Sequence, residues 1–231
     1  MSIAENIAQV RTNIAQACAQ AGRSPEEITL VGASKMNDAA ACREAIAAGI
    51  DALGENRVQE MTAKLADNAY DGAPLHFIGH LQRNKVKQVV GKVALIQSVG
   101  SMELLEEIEK VAAREQLVQD ILLEVNIGRE EAKSGFDPDA VTAAAEAALS
   151  LPHVRVRGLM TIPPADADRD ANMRYFQEVQ ALYVDINTKL FHNELKCLSM
   201  GMGGDYMDAI RCGATMVRVG TAIFGARNYN I

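Results

Sequence analysis

The feature that most constrains the fold is an alternation of short apolar runs with helical segments along all 231 residues. The runs have the length and β-branched composition of buried strands, and the segments between them carry apolar residues at helical spacing. The expected strands cover residues 28–33, 51–55, 75–79, 93–97, 120–127, 154–160, 195–200 and 215–220. The expected helices cover residues 3–21, 38–49, 56–69, 84–90, 102–115, 138–150, 168–190 and 205–212, with a tail over 224–231.

About eight strands that alternate with helices through short connections predict one α/β domain, a single (β/α)₈ TIM barrel over residues 1–231. Neither a linker nor a low-complexity segment divides the chain. A doubly wound open sheet is the alternative architecture. In a barrel the carboxyl ends of all strands face one mouth, so polar residues that follow the strands become candidates for a shared site.

Composition narrows the function class. A net charge of −7 and a pI near 5.2 argue against nucleic acid or an anionic membrane as the main partner. The cysteines are scattered without metal-ligand spacing, at Cys18, Cys42, Cys197 and Cys212. They predict buried thiols in a reducing compartment and no metal site. No signal peptide and no apolar run of membrane-spanning length are visible, so we expect a soluble cytoplasmic protein.

The first expected strand leads directly into Lys35. A lysine rarely follows a buried strand unless it is paired or does chemistry. An amine in a partly apolar pocket has a lowered pKa, and its neutral form attacks carbonyls to form a Schiff base. A surface lysine that extends from the strand end into solvent is the alternative explanation.

Two glycine-containing segments follow the seventh strand and end the eighth, Ser199–Asp205 and Val217–Thr221. Glycine lets backbone N–H groups approach an anion, and a helix start adds a favourable dipole. Loops after strands seven and eight form the phosphate site of many TIM barrels. Each loop alone is more commonly an ordinary turn. Together with Lys35 they indicate a phosphorylated carbonyl ligand.

Arg218 lies within the second of these segments. Arginine stays protonated and only donates hydrogen bonds, so it would clamp a phosphate or keep a pyridine nitrogen unprotonated. The structural alternative is an ion pair with a core carboxylate such as Glu124.

Four motifs resemble the pyridoxal-phosphate homeostasis protein family, which is also described as alanine racemase N-terminal-domain-like. They are Gly54–Glu60, His76–Lys85, Arg157–Pro164 and Arg218–Gly225. The match runs essentially end to end, in order and at the family spacing. The resemblance implies a single barrel of the alanine racemase N-terminal type that binds pyridoxal 5′-phosphate (PLP).

The resemblance also assigns residues. The positions matched to cofactor-binding residues are Lys35, Asn56, Ser199, Gly203, Arg218, Gly220 and Thr221. Lys35 matches the Schiff-base lysine, Arg218 faces the pyridine nitrogen, and Gly220 with Thr221 forms the phosphate turn. Asn56 and Ser199 match pocket-lining positions, and His80 belongs to a family motif without an assigned role.

The chain departs from the family pattern at two positions. Met36 follows the lysine where the family usually has threonine, and Gly203 replaces a serine whose hydroxyl reaches the phosphate. Loss of one hydrogen bond to a charged group costs about 1.5–3 kcal/mol unless a backbone N–H or water replaces it. The loop Lys133–Phe136 fits the family without change.

The resemblance implies a carrier or reservoir in intracellular cofactor homeostasis that holds PLP as a lysine aldimine, without efficient catalysis. Alanine racemase takes its second base from a C-terminal β-domain of the partner subunit, whereas this chain ends at Ile231. A low-activity PLP-dependent amino-acid racemase or related lyase is the main alternative, and a Schiff-base aldolase for sugar phosphates is a distant one. We expect a monomer whose recipients are PLP-dependent enzymes.

Overall fold

A computed structural model describes residues 1–225, in which eight parallel strands close a barrel in sequence order. The strands are β1 Thr29–Ala33, β2 Ala52–Glu55, β3 Leu75–Phe77, β4 Leu95–Val99, β5 Gln119–Val125, β6 Val154–Thr161, β7 Cys197–Ser199 and β8 Met216–Val219. β1 pairs with both β2 and β8, with Val31 beside Arg218. The predicted (β/α)₈ barrel is therefore confirmed, and the open-sheet alternative is wrong.

The helices surround the barrel. They are α1 Ile3–Ala21, α2 Ala39–Ala47, α3 Val58–Ala66, α4 Met102–Arg114, α5 Val141–Ala148, α6 Arg169–Leu190, α7 Tyr206–Arg211 and α8 Thr221–Phe224. α1 precedes the first strand and is held by a capping box between Ser2 and Glu5 and by a left-handed Gly22. It packs against α7 and α8, so it covers the seam between the last and first strands. Among residues 1–225, no helix has both the length and the apolar character needed to cross a membrane.

Two local predictions were wrong. The segment expected to be an α-helix over 84–90 is a 3₁₀-helix, Arg83–Gln88. Val86 and Val89 are fully buried three residues apart, and a spacing of three brings side chains onto one face of a 3₁₀-helix. After β8 the chain forms the short helix α8 from Thr221 to Phe224, where no helix was expected and a tail was expected from residue 224 onward. Residues 226–231 of that tail lie outside the described part.

The barrel lumen is filled rather than open. Its apolar floor consists of Val31, Ala52, Leu95, Leu122, Met160 and Met216. Toward the carboxyl ends of the strands the buried residues become polar, with His76, Gln97, Ser199 and Arg218 following apolar neighbours in β3, β4, β7 and β8. The alternation of the strands turns these side chains inward, opposite to neighbours such as Val217 that pack against the helices. The polar layer lies directly below the mouth.

Candidate functional site

The barrel brings together segments that are far apart in sequence. A Cβ added at Gly220 would lie 3.4 Å from the carbonyl oxygen of Ala33, so the end of β8 touches the end of β1. The backbone N–H of Arg218 donates to the carbonyl of Gly201 at 3.0 Å, which joins β8 to the loop after β7. Half-buried Lys35 follows Ala33 at this same edge. The predicted Schiff-base lysine and the two predicted phosphate loops therefore converge.

A buried ion pair supports the backbone immediately before Lys35. Glu55 is fully buried, and its Oε1 accepts from Ser34 Oγ at 2.6 Å, from Lys64 Nζ at 2.6 Å and from Tyr70 OH at 3.1 Å. Lys64 Nζ also donates to the carbonyl oxygen of Ser34 at 2.8 Å. Burial, followed by the charge of Glu55, raises the pKa of Tyr70, so its hydroxyl stays protonated as a donor. The end of β1 is fixed from behind by charge-assisted bonds.

The backbone immediately after Lys35 is also held. Met36 has φ of 62°, a left-handed conformation that is uncommon for a residue with a Cβ. Its N–H donates to Oε2 of Glu60 on α3 at 2.8 Å. Lys35 thus lies between two fixed backbone positions, which limits the directions its side chain can take.

Arg218 is 3% exposed and is held by neutral partners. Nη1 donates to Ser199 Oγ at 2.5 Å, and Nη2 donates to the carbonyl oxygen of Thr161 at 2.8 Å. Burial lowers the pKa of Arg218 to about 10, although Glu124 and Asp205 act to raise it, so the guanidinium is still protonated at neutral pH. Its remaining N–H groups have no acceptor within residues 1–225, and they can donate to a ligand.

The structural alternative for Arg218, an ion pair with Glu124, is not found among the described residues. Glu124 instead accepts from Ser134 Oγ at 3.1 Å, which ties the loop after β5 over the barrel. Burial raises the pKa of Glu124, while the Ser134 hydroxyl and then the charges of Arg218 and His80 act to lower it. Within residues 1–225, Arg218 is therefore a buried cation without a carboxylate in contact, as expected for a group that meets a ligand.

The loops after β7 and β8 present backbone donors. Gly203 and Gly204 are exposed, and within residues 1–225 their N–H groups have no acceptor. Asp205 holds the start of this loop through its Oδ1, which accepts from the N–H of Met202 at 2.6 Å. At the start of α8, the N–H groups of Thr221 and Ala222 have no acceptor within residues 1–225, whereas those of Ile223 and Phe224 donate to the carbonyl oxygen of Gly220. Such a set of converging amides fits a phosphate.

Asn56 and His80 occupy different positions at the mouth. Asn56 follows β2 and packs closely against Gly79: a Cβ added at Gly79 would lie 2.3 Å from the carbonyl oxygen of Asn56. Asn56 Oδ1 is buried without a hydrogen-bond partner among residues 1–225, as expected if a ligand donor completes it. His80 is exposed on the rim.

The residues present fit a phosphorylated aldehyde with a ring acceptor. Lys35 provides an amine, Arg218 provides donors for an aromatic nitrogen, and the open amides of the two loops fit a phosphate. Ser199, which the sequence predicts to line the pocket, contacts Arg218. It is fully buried, and its hydroxyl is already used as an acceptor from Arg218 and a donor to Gln97 Oε1 at 2.6 Å.

Sequence reasoning assigned no role to several residues that support this site. Glu55, Lys64, His76 and Gln97 form buried polar contacts behind Lys35 and Arg218. The available signal was a polar residue at an inward position of an apolar strand, such as Gln97 after Leu95 and Ile96.

Comparison with known proteins identifies the class to which this fold belongs. The family model described as alanine racemase, N-terminal domain, matches residues 6–228. An alanine racemase structure from Clostridium difficile has a TM-score of 0.72 at 17% identity, with 99% of this chain and 58% of that chain covered. At that identity the likeness shows the fold alone, an alanine racemase-type barrel.

Closer relatives specify the family. The chain is 42% identical over 229 residues to the pyridoxal phosphate homeostasis protein of Aquifex aeolicus, with 99% of this chain and 100% of the relative covered. The structure of PipY from Synechococcus elongatus, with PLP bound, has a TM-score of 0.84 at 32% identity and covers 97% of this chain and 100% of that chain. This chain belongs to the pyridoxal phosphate homeostasis protein family.

Proposed function

We propose that this chain holds PLP covalently on Lys35 and acts as a carrier or reservoir in cofactor homeostasis, without efficient catalysis. The observation that carries the proposal is the convergence at one edge of the barrel of Lys35, a protonated Arg218 that has no carboxylate partner within residues 1–225, and open backbone amides. Membership in a family whose member PipY has been solved with PLP bound supports it. We further propose that residues 1–231 act as one domain.

Each residue has a definite task in this proposal. PLP supplies an aldehyde that condenses with an amine, with formation of a C=N bond and loss of one water. Lys35 supplies the amine. Arg218 donates to the ring nitrogen, and the N–H groups of Gly203, Gly220 and Thr221 surround the phosphate. Asn56 Oδ1 accepts from a protonated group of the ligand.

The absence of efficient turnover follows from Arg218. Amino-acid chemistry on PLP relies on the ring as an electron sink, which is strongest when the ring nitrogen carries a proton. A guanidinium with its pKa near 10 gives hydrogen bonds to that nitrogen but keeps its own protons at neutral pH. The ring therefore remains a weak sink, and Lys35 provides a base for only one face of a substrate.

The test compares wild type with Lys35→Ala and with Lys110→Ala, an exposed lysine on α4. After addition of PLP, wild type and Lys110→Ala should absorb in the Schiff-base band, and borohydride should fix one cofactor mass on Lys35. Lys35→Ala should lose both signals. A reduced adduct on another lysine, or unchanged absorbance in Lys35→Ala, would refute the role of Lys35.

The enzymatic alternative has its own test. Loaded protein is incubated with several L-amino acids in deuterated water, and chirality and α-hydrogen exchange are measured. The carrier proposal expects rates no higher than those of free PLP, whereas robust turnover would replace it with a racemase. A Schiff-base aldolase would instead bind sugar phosphates and show no PLP absorbance.

We also propose a cytoplasmic monomer that passes PLP to PLP-dependent enzymes. Sedimentation analysis should give a mass near the chain mass of 24.9 kDa. A dimer at micromolar concentration would contradict the monomer. Cell fractionation checks the location, and transfer of labelled PLP to an apoenzyme checks the recipients.

A further inference from the structure

A chain of hydrogen bonds crosses the barrel lumen and ends at Arg218. Gln97 on β4 joins His76 on β3 to Ser199 on β7, and Ser199 joins Arg218 on β8. Gln97 and Ser199 have no exposed surface, and His76 is 6% exposed. The neighbouring lumen residues are apolar, so these buried polar groups carry a desolvation cost that a purely structural core would not need.

The donors and acceptors in this chain have a fixed direction. Because Arg218 only donates, Ser199 Oγ accepts from it and must direct its own proton elsewhere. Oε1 of Gln97, at 2.6 Å, is the acceptor of that proton. The amide is then oriented with Nε2 toward His76 Nδ1 at 3.0 Å, and Nδ1 must be unprotonated to accept. Met216 Sδ, 3.1 Å from Nε2, takes the other amide proton.

Burial favours the neutral form of His76 that this direction requires. Burial lowers the pKa of His76 to about 4, so the imidazole is neutral near pH 7. With both ends of its amide engaged, Gln97 cannot rotate without breaking three buried bonds. Ser199 is consequently fixed with a lone pair toward Nη1 of Arg218.

We propose that Gln97 is a positioning residue that fixes the Arg218 guanidinium through Ser199 and thereby sets the electrostatic environment of the PLP ring nitrogen. This inference rests on the proposed function, since it assumes that Arg218 faces that ring. The inference goes beyond the proposed function because it places a residue that orients Arg218 on β4, across the lumen. Gln97 does not touch the ligand in this proposal and acts only through Ser199.

The test uses Gln97→Met, which keeps the side-chain length and removes both polar atoms. We expect about tenfold weaker PLP binding and a shift of at least half a pH unit in the absorbance titration of the bound cofactor. Ser199→Ala should reproduce both changes. The double variant should be no worse than either single variant, because residues in one chain of hydrogen bonds are not additive.

Gln119→Met is the matched control. Gln119 is also buried, at 2% exposure, but it lies at the start of β5 and bonds Gly91 and Val93. Its loss should lower the melting temperature without moving the absorbance titration. If Gln97→Met destabilises the protein but leaves affinity and titration at wild-type values, as expected for Gln119→Met, the positioning role is refuted.

A second measurement keeps this test independent of PLP. In the protein without PLP, NMR of the Arg218 side chain reports exchange of its guanidinium protons. Gln97→Met should raise that exchange rate at least tenfold, and Gln119→Met should not. An unchanged rate in Gln97→Met refutes the inference even if Lys35 binds PLP normally. A raised rate supports the positioning of Arg218 even if the proposed chemistry on Lys35 fails.

Discussion

Lys64→Met removes the cation of the buried ion pair behind Lys35. Nζ of Lys64 lies 2.6 Å from Glu55 Oε1 and 2.8 Å from the carbonyl oxygen of Ser34. Glu55 has no exposed surface and Lys64 is 9% exposed, so solvent screens this pair little. Methionine retains most of the apolar stem and leaves the carboxylate without its counter-ion.

The expected loss follows from what remains around Glu55. Removing one partner of a buried ion pair costs about 3–5 kcal/mol, because the other charge stays buried and uncompensated. The hydroxyl groups of Ser34 and Tyr70 still donate to Oε1, which places the loss near the lower end, about 3 kcal/mol. Adding Glu55→Gln removes the uncompensated charge. The double variant should therefore recover about 1–2 kcal/mol relative to Lys64→Met alone.

Equilibrium urea unfolding, followed by far-ultraviolet circular dichroism, measures these free energies of unfolding. Lys110→Met is the control, because Lys110 is 78% exposed at a 3.7 Å ion pair with Glu107. It should change the free energy of unfolding by no more than about 0.5 kcal/mol. The reasoning is refuted if Lys64→Met costs no more than the control, or if the losses from Lys64→Met and Glu55→Gln simply add.

Three further predictions concern single positions. Burial lowers the pKa of His76 to about 4 in the folded protein, below the value of about 6.5 in the unfolded chain. As pH falls, the unfolded chain therefore binds a proton on this imidazole before the folded protein does. The contribution of neutral His76 to the free energy of unfolding is complete above about pH 6.5 and is lost as pH falls toward 4. Between pH 7 and pH 5, the free energy of unfolding of wild type should fall by about 2 kcal/mol more than that of His76→Gln. Equal decreases in the two proteins, measured by urea unfolding, would contradict this. Gly203→Ser should tighten PLP binding at least about tenfold, because the serine hydroxyl can donate to the phosphate and no atom lies within 4 Å of the added Cβ. Equal or weaker binding in equilibrium dialysis would argue against that contact. Gly79→Ala should lower the free energy of unfolding by about 1–3 kcal/mol, because the added Cβ would lie 2.3 Å from the carbonyl oxygen of Asn56. Gly204→Ala is the control, since no atom lies within 4 Å of its added Cβ, and it should melt at a higher temperature than Gly79→Ala.

The fold could be predicted because local signals agree with it along the chain. The apolar run of residues 120–127 corresponds to β5, and Gly22, with φ of 67°, ends α1 as its pattern predicts. A parallel sheet with helices on its outer face needs such runs, since its strands are buried on both sides. The 3₁₀-helix at Arg83–Gln88 escaped prediction because Val86 and Val89 fit either helix type until packing selects one.

Only part of the candidate site could be predicted from the sequence. Lys35 and Arg218 were candidates because a charged residue at the end of an apolar strand is conspicuous. The contacts that support them could not be predicted, because they join distant positions: Gln97 and Ser199 are 102 residues apart. No periodicity or motif encodes that pairing. It arises from the closure of the barrel, which turns β4 and β7 toward a common lumen.

The two buried networks have one chemical consequence for the mouth. Behind Lys35, the hydroxyl of Ser34 and the ammonium of Lys64 donate to Oε1 of Glu55, so that oxygen is already engaged by donors. Behind Arg218, Ser199 Oγ and the carbonyl oxygen of Thr161 accept from the guanidinium and leave its other N–H groups as donors. The groups these networks orient toward the proposed ring and phosphate are therefore donors. Abstraction of an α-proton from a substrate needs an oriented acceptor on each face, whereas a phosphate and an unprotonated ring nitrogen need donors. The polarity of these supports therefore fits the proposed role, in which PLP is held rather than turned over.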